Sequence, residues 1–152
     1  MGLDNGILIR AKSDLAKDFL AIHFSKDDYD KYEDAYEIAY WRKCHNIRDA
    51  FIEDAYIEDN SPDGGYHYNR KMQNIVYRME DIPNILDVLK PFLDEEYWNR
   101  HSESMWEWYQ IVPGIAEAIS ILTRLYKNYC DIVKETGKLS EDDFCLEFYD
   151  SY

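Results

Sequence analysis

Trp41, His45 and Arg48 stand at a spacing that suits ligand binding. In a helix, steps of four and three bring an aromatic plane, a titratable ring and a fixed planar cation onto one face. Such a trio would hold a phosphate- or carboxylate-bearing small molecule, in a binding protein or an enzyme. The competing reading is structural: Trp41 belongs to the core, His45 borders it, and Arg48 pairs with a carboxylate of another element, because an unpaired buried charge is strongly unfavourable.

No other constellation completes a catalytic or metal pattern. His23, His45, His67 and His101 fall at no metal-ligand spacing, and Cys44, Cys130 and Cys145 are far apart, so neither a zinc site nor a disulfide framework is expected. Asp59-Asn60-Ser61-Pro62-Asp63-Gly64 begins like a calcium loop, but Arg70 stands at the twelfth place, where a bidentate glutamate is needed. The six glycines form neither a phosphate loop nor a nucleophile elbow. The chain is expected to take no cofactor, and binding is favoured over catalysis.

The second candidate surface is acidic. Thirty-one Asp and Glu against seventeen Lys and Arg give a formal charge of −14, which argues against neutralising nucleic-acid phosphates or anionic lipid. The acids gather at 27–37, 53–63, 94–107 and 141–150, and in the first and third clusters they alternate with Tyr and Trp. Aromatic anchors with steering charge are the pairing that protein interfaces use. The expected contact residues are Asp27, Asp28, Asp30, Glu33 and Asp34 in one cluster and Trp98, Trp106, Trp108 and Tyr109 in the other. The expected partner is a host or defence protein with a basic surface, occupied in place of nucleic acid. Against this stands the reading that the charge only keeps the protein soluble.

These residues must be carried by a fold. Length and an apolar fraction of 46% suit one domain over 1–152. Residues 6–12 read as a short strand after the turn Asp4-Asn5-Gly6, and 19–24 as a second. From 34 to 56, Ile38, Trp41, Cys44, Phe51, Ile52 and Ala55 recur at threes and fours, predicting a helix. A loop is expected over 57–73 and a strand over 74–79. A helix carrying Ile82, Ile85, Leu86 and Leu89 then ends near Pro91. Residues 94–112 show no clean period. Pro113 is expected to open the longest helix, with Gly137 capping it, before a final strand over 144–149. The sum is an α+β fold, three main helices on a small sheet of short strands. The apolar run Ile7 to Ile9 is too short for a signal-peptide core, and no stretch approaches the roughly 20 residues of a membrane span, so a cytoplasmic protein is expected.

The opening GLDNGI, the YWRKCHNI stretch, the SMWEWY segment and the closing EFYDSY together resemble a family of small proteins from bacteria and their phages that begin MGLD and contain a YWRK-type helix. The likeness spans most of the chain. It implies a shared fold and a phage or mobile-element setting, and brings no catalytic residues with it.

Overall fold

The computed structural model describes residues 4–42, 45–59, 67–69, 74–101 and 106–151. Among the described residues, six strands form one antiparallel sheet: β1 (Asp4–Ala11), β2 (Tyr29–Asp30), β3 (Ala35–Arg42), β4 (His67–Asn69), β5 (Asn74–Tyr77) and β6 (Phe144–Ser151), in the order β2-β3-β1-β6-β5-β4. Five α-helices accompany it among the described residues: α1 (Asp14–His23), α2 (His45–Asp59), α3 (Ile82–Leu89), α4 (Glu95–His101) and α5 (Trp106–Thr136). The architecture is α+β, as the sequence predicts, although β1, β3 and β6 each run to eight residues rather than being short.

Alternation along the central strands decides which side is covered. Ile7 and Ile9 of β1 pair with Phe148 and Leu146 of β6, which pair in turn with Ile75 and Tyr77 of β5. All six are at most 1% exposed and share one core with Phe19 and Leu20 of α1, Ile47 and Phe51 of α2, Ile85 and Leu89 of α3, Trp98 of α4 and Leu122 of α5. The opposite face carries Arg10, Glu147, Tyr149, Tyr40 and Val76, with the last two substantially exposed. This is the one-face-in, one-face-wet arrangement of an antiparallel sheet. Gly6 is required here. A Cβ on it would lie 2.4 Å from the Ala39 carbonyl oxygen and under 3 Å from the Tyr149 ring, which folds over it.

Three elements differ from expectation for identifiable reasons. Residues 19–24 belong to α1, not a strand: Ser13 caps it by accepting from the Ala16 N–H (3.2 Å), and Ala16, Phe19 and Leu20 form its buried stripe while Ile22 is exposed. Residues 35–42 are strand β3, not the start of a helix. Ile7 opposes Ala39 and Leu8 opposes Glu37, so Ile38 is the extra residue of a bulge. The bulge lets Ile38 and Trp41, three apart, both reach the core, and that spacing imitates a helix. The third difference is α5, which begins at Trp106 and carries Pro113 inside it, with α4 before it in the segment expected to be irregular. Asp94 supports the start of α4 by accepting the Glu96 N–H (3.0 Å).

Three further readings are corrected: Asp4–Gly6 open strand β1 instead of forming a turn, α2 runs on to Asp59, and His67–Asn69 forms β4 within the 57–73 segment expected to be a loop, because it pairs with β5. Gly137 has φ +63° and its N–H bonds the Val133 carbonyl, ending α5 as a left-handed cap. α3 carries a proline in its first turn and continues into a 3-10 turn at Lys90–Leu93. Most of the expected 57–73 loop, including the calcium-like segment after Asp59, lies outside the described residues, as do Lys43 and Cys44.

Candidate functional site

The acidic segment after α1 folds into a tight, hydrogen-bonded protrusion at the edge of the sheet. Ser25 and Asp28 cap a 3-10 turn over Lys26–Asp28: the Ser25 N–H and hydroxyl both donate to Asp28 Oδ2 (3.1 and 3.0 Å), and the Asp28 N–H donates to the Ser25 carbonyl. Tyr29 and Asp30 then form β2 against Tyr36 and Ala35. Asp30 Oδ1 accepts the N–H groups of Tyr32 (2.9 Å) and Glu33 (3.2 Å), the local bonding that makes aspartate a turn residue. Asp34 closes the turn at φ +50° and accepts the Tyr29 hydroxyl.

Arg10 of β1 clamps the far side. Its Nε donates to the Glu33 carbonyl (3.0 Å), Nη2 to Glu33 Oε2 (2.8 Å) and Nη1 to Glu147 Oε2 (2.5 Å). Beneath the loop, Tyr36 stacks on Phe24 and packs against Tyr29. Four of the five acids expected to contact a partner thus also hold the loop together: Asp28, Asp30, Glu33 and Asp34. Asp27 makes no such bond among the described residues.

This framework presents Tyr32 at 99% exposure, beside a surface concavity of about 360 Å³ lined by residues 27–32 and Glu37. The site is strongly negative. Burial, then the charges of Asp30 and Asp28, push the Glu37 carboxyl above its ordinary value, and the bond to Asp34 does the same for the Tyr29 phenol. An incoming cation would offset the part of each shift that comes from neighbouring carboxylate charge. A fully exposed aromatic held on a pre-ordered backbone loses little entropy when a partner covers it.

The second expected contact segment is dispersed. Trp98 is not a surface residue: it is fully buried, donates from Nε1 to the Phe92 carbonyl (2.8 Å) and packs between Phe92 and Tyr97. Its neighbours among acids gave it the look of an interface anchor, when the helical period of α4 turns it inward. Tyr109 is 70% exposed on α5, and the side chains of Trp106 and Trp108 lie outside the described residues.

The common helical face proposed for Trp41, His45 and Arg48 does not exist. Trp41 sits in β3, whereas His45 is the first residue of α2. The Trp41 ring is 3% exposed in the core, against Gly114 of α5, and its Nε1 has no hydrogen-bond partner among the described residues. Arg48 Nη1 pairs with Asp49 (3.1 Å), and the His45 side chain lies outside the described residues. Among the described residues no group of three or more His, Cys, Asp or Glu is placed to hold a metal ion, and no helix is long and apolar enough to cross a membrane.

No family model, curated protein or solved structure significantly matches the chain.

Proposed function

We propose that this chain acts by binding another protein through the loop at 25–37, with Tyr32 as the anchor and the surrounding carboxylates steering a basic surface onto it. The observation that carries this reading is a fully exposed tyrosine on a loop fixed by its own carboxylates and by Arg10. Aromatic residues are enriched among interface hot spots, and complementary charge raises association rates and selects partners. A net charge of −14 extends that steering beyond contact distance. The partner in this reading is a host or defence protein whose groove normally takes nucleic acid, inhibited by being filled. The likeness to small bacterial and phage proteins supports that setting, and the cytoplasm is where such a partner would be met.

The test is affinity capture from lysate of the natural host, with Tyr32→Ala and Asp27→Asn beside the wild type. Both residues face outward, and neither supplies a side-chain bond that holds the loop. A basic protein retained by the wild type, weakened by salt and lost with Tyr32→Ala is expected. Equal retention by both variants contradicts the assignment.

A further inference from the structure

Between α1 and the β2 end of the sheet lies a cavity of about 210 Å³. Strand register accounts for its sheet side. Tyr29 opposes Tyr36 and Tyr36 opposes Ile9, so the three form a row across β2, β3 and β1 on the face that carries the core. Ala11, two residues beyond Ile9, lies on the same face. Lys17 and Leu20, three apart on α1, supply the helical side. Ile9 and Leu20 are at most 1% exposed and close the cavity toward the core, whereas Lys17 and Tyr29 reach the surface. Both rings are already held: Tyr36 stacks on Phe24 with centroids 5.1 Å apart, and the Tyr29 hydroxyl donates to Asp34. Little order is left for a ligand to impose.

Two opposite charges border the cavity from different elements, Lys17 of α1 and Asp34 of the turn before β3. Neither forms an ion pair among the described residues, with each other or with a third group. The bond that Asp34 accepts comes from a neutral phenol and leaves its charge in place.

We propose that this cavity binds a free α-amino acid with an apolar side chain, its carboxylate meeting Lys17 and its ammonium meeting Asp34. Size limits the ligand first, because drug-sized molecules occupy roughly 300–1,000 Å³ and this space is smaller. Charge then narrows the class. A plain carboxylate would be drawn to Lys17 but repelled by Asp34, in a molecule of formal charge −14. A plain amine would be drawn to Asp34 but repelled by Lys17. A zwitterion answers both groups at once, and tyrosine rings favour a nearby ammonium. Its apolar side chain would cover Ala11 and Tyr36, both only partly buried. Tyr32 does not line the cavity, so this inference does not rest on the binding proposed above, although both draw on the 25–37 loop.

The probes are L-leucine and L-phenylalanine, titrated into the isotope-labelled protein and followed by amide chemical shifts. Each is compared with its deaminated and decarboxylated forms, isocaproate and isoamylamine for leucine, hydrocinnamate and phenethylamine for phenylalanine. Saturable shifts are expected at 9–11, 17–20 and 29–36. The truncated forms are expected to bind about tenfold more weakly or worse, since a hydrogen bond to a charged group is worth at least that factor. Lys17→Met is expected to cost the amino acid about tenfold and the amine nothing. Asp34→Asn keeps the turn, because asparagine tolerates the left-handed backbone and still accepts the Tyr29 hydroxyl; it is expected to cost the amino acid about tenfold and the deaminated acid nothing. Ala11→Leu, which fills the cavity, is expected to abolish binding, and the two charge variants decide the matter should it disturb packing. Tyr32→Ala is expected to bind like wild type. Neither amino acid shifting the spectrum by about 10 mM, beyond the weak end of specific affinity, would overturn the proposal. So would equal affinity for a truncated form, affinity unmoved by Lys17→Met or by Asp34→Asn, or loss of binding in Tyr32→Ala, which would place the site on the outer side of the loop.

Discussion

At the scale of single residues, the tightest constraints lie where backbone or ring leaves no room. Gly6 is one: the Ala39 carbonyl and the Tyr149 ring occupy the space a side chain would need. Gly6→Ala must widen the β1–β3 pairing or eject the ring, and should lower stability by about 2 kcal/mol, within the range for overpacking. A fall in the urea midpoint at unchanged slope checks this. Trp98 is another, since its ring fills the core and its N–H answers the Phe92 carbonyl. Trp98→Phe should cost about 2–4 kcal/mol, from lost volume plus an orphaned carbonyl; a milder loss would mean that the carbonyl finds another donor. In the loop, Asp30 serves two backbone donors, so Asp30→Asn should preserve the turn while Asp30→Ala frees it. Amide exchange at Tyr32 and Glu33 distinguishes them.

At the scale of elements, legibility followed how far each local pattern agreed with its packing. β1, β5, β6, α3 and the Gly137 cap were readable, because short apolar or aromatic runs bounded by polar residues, Pro83 in a first turn and a glycine past a helix end are local signals. β3 was not, since one bulged residue converts an alternating strand into a spacing of three and makes Ile38 and Trp41 resemble a helical stripe. That error also assembled the Trp41, His45 and Arg48 trio. α1 was hidden by a six-residue apolar window too short to show its period, although Ser13 and Asp14 marked its start. For α5, Pro113 looked like a beginning because an interior proline forfeits a backbone bond; the helix nevertheless extends a further seven residues upstream. The loop acids were legible as a cluster, but their bonding to Ser25, Arg10 and Tyr29 depends on a fold no pattern reveals. Next to Pro113, a Cβ on Gly114 would lie 3.3 Å from Trp41 Nε1. Gly114→Leu should therefore displace the indole, lower stability by about 2 kcal/mol and shift tryptophan emission.

At the scale of the whole molecule, charge bears on stability and on the proposed recognition. Burial first, then the Arg124 cation, holds the His23 imidazole below its ordinary 6.5. The unfolded chain therefore takes up that proton first as pH drops below about 6.5, and this contribution to stability is lost as pH falls through the folded value. Two carboxylates act oppositely. Burial, then Asp30 and Asp28, raises Glu37 above its ordinary 4.5; a hydrogen bond with Glu80, then burial and the Glu80 charge, raises Glu141. For both, the folded chain protonates first, so stability recovers as pH falls toward 4.5. Urea midpoints against pH should show a decline that His23→Gln flattens and a recovery that Glu37→Gln with Glu141→Gln removes. The proposed recognition would draw on the same charge, concentrated on a pre-ordered loop. The most direct measurement is therefore the host-lysate capture run with wild type and Tyr32→Ala side by side, at low salt and again at about 0.15 M, where screening reaches about 8 Å. The account predicts a basic protein held by the wild type, weakened by the added salt and absent from Tyr32→Ala. The same protein held equally by both would contradict it.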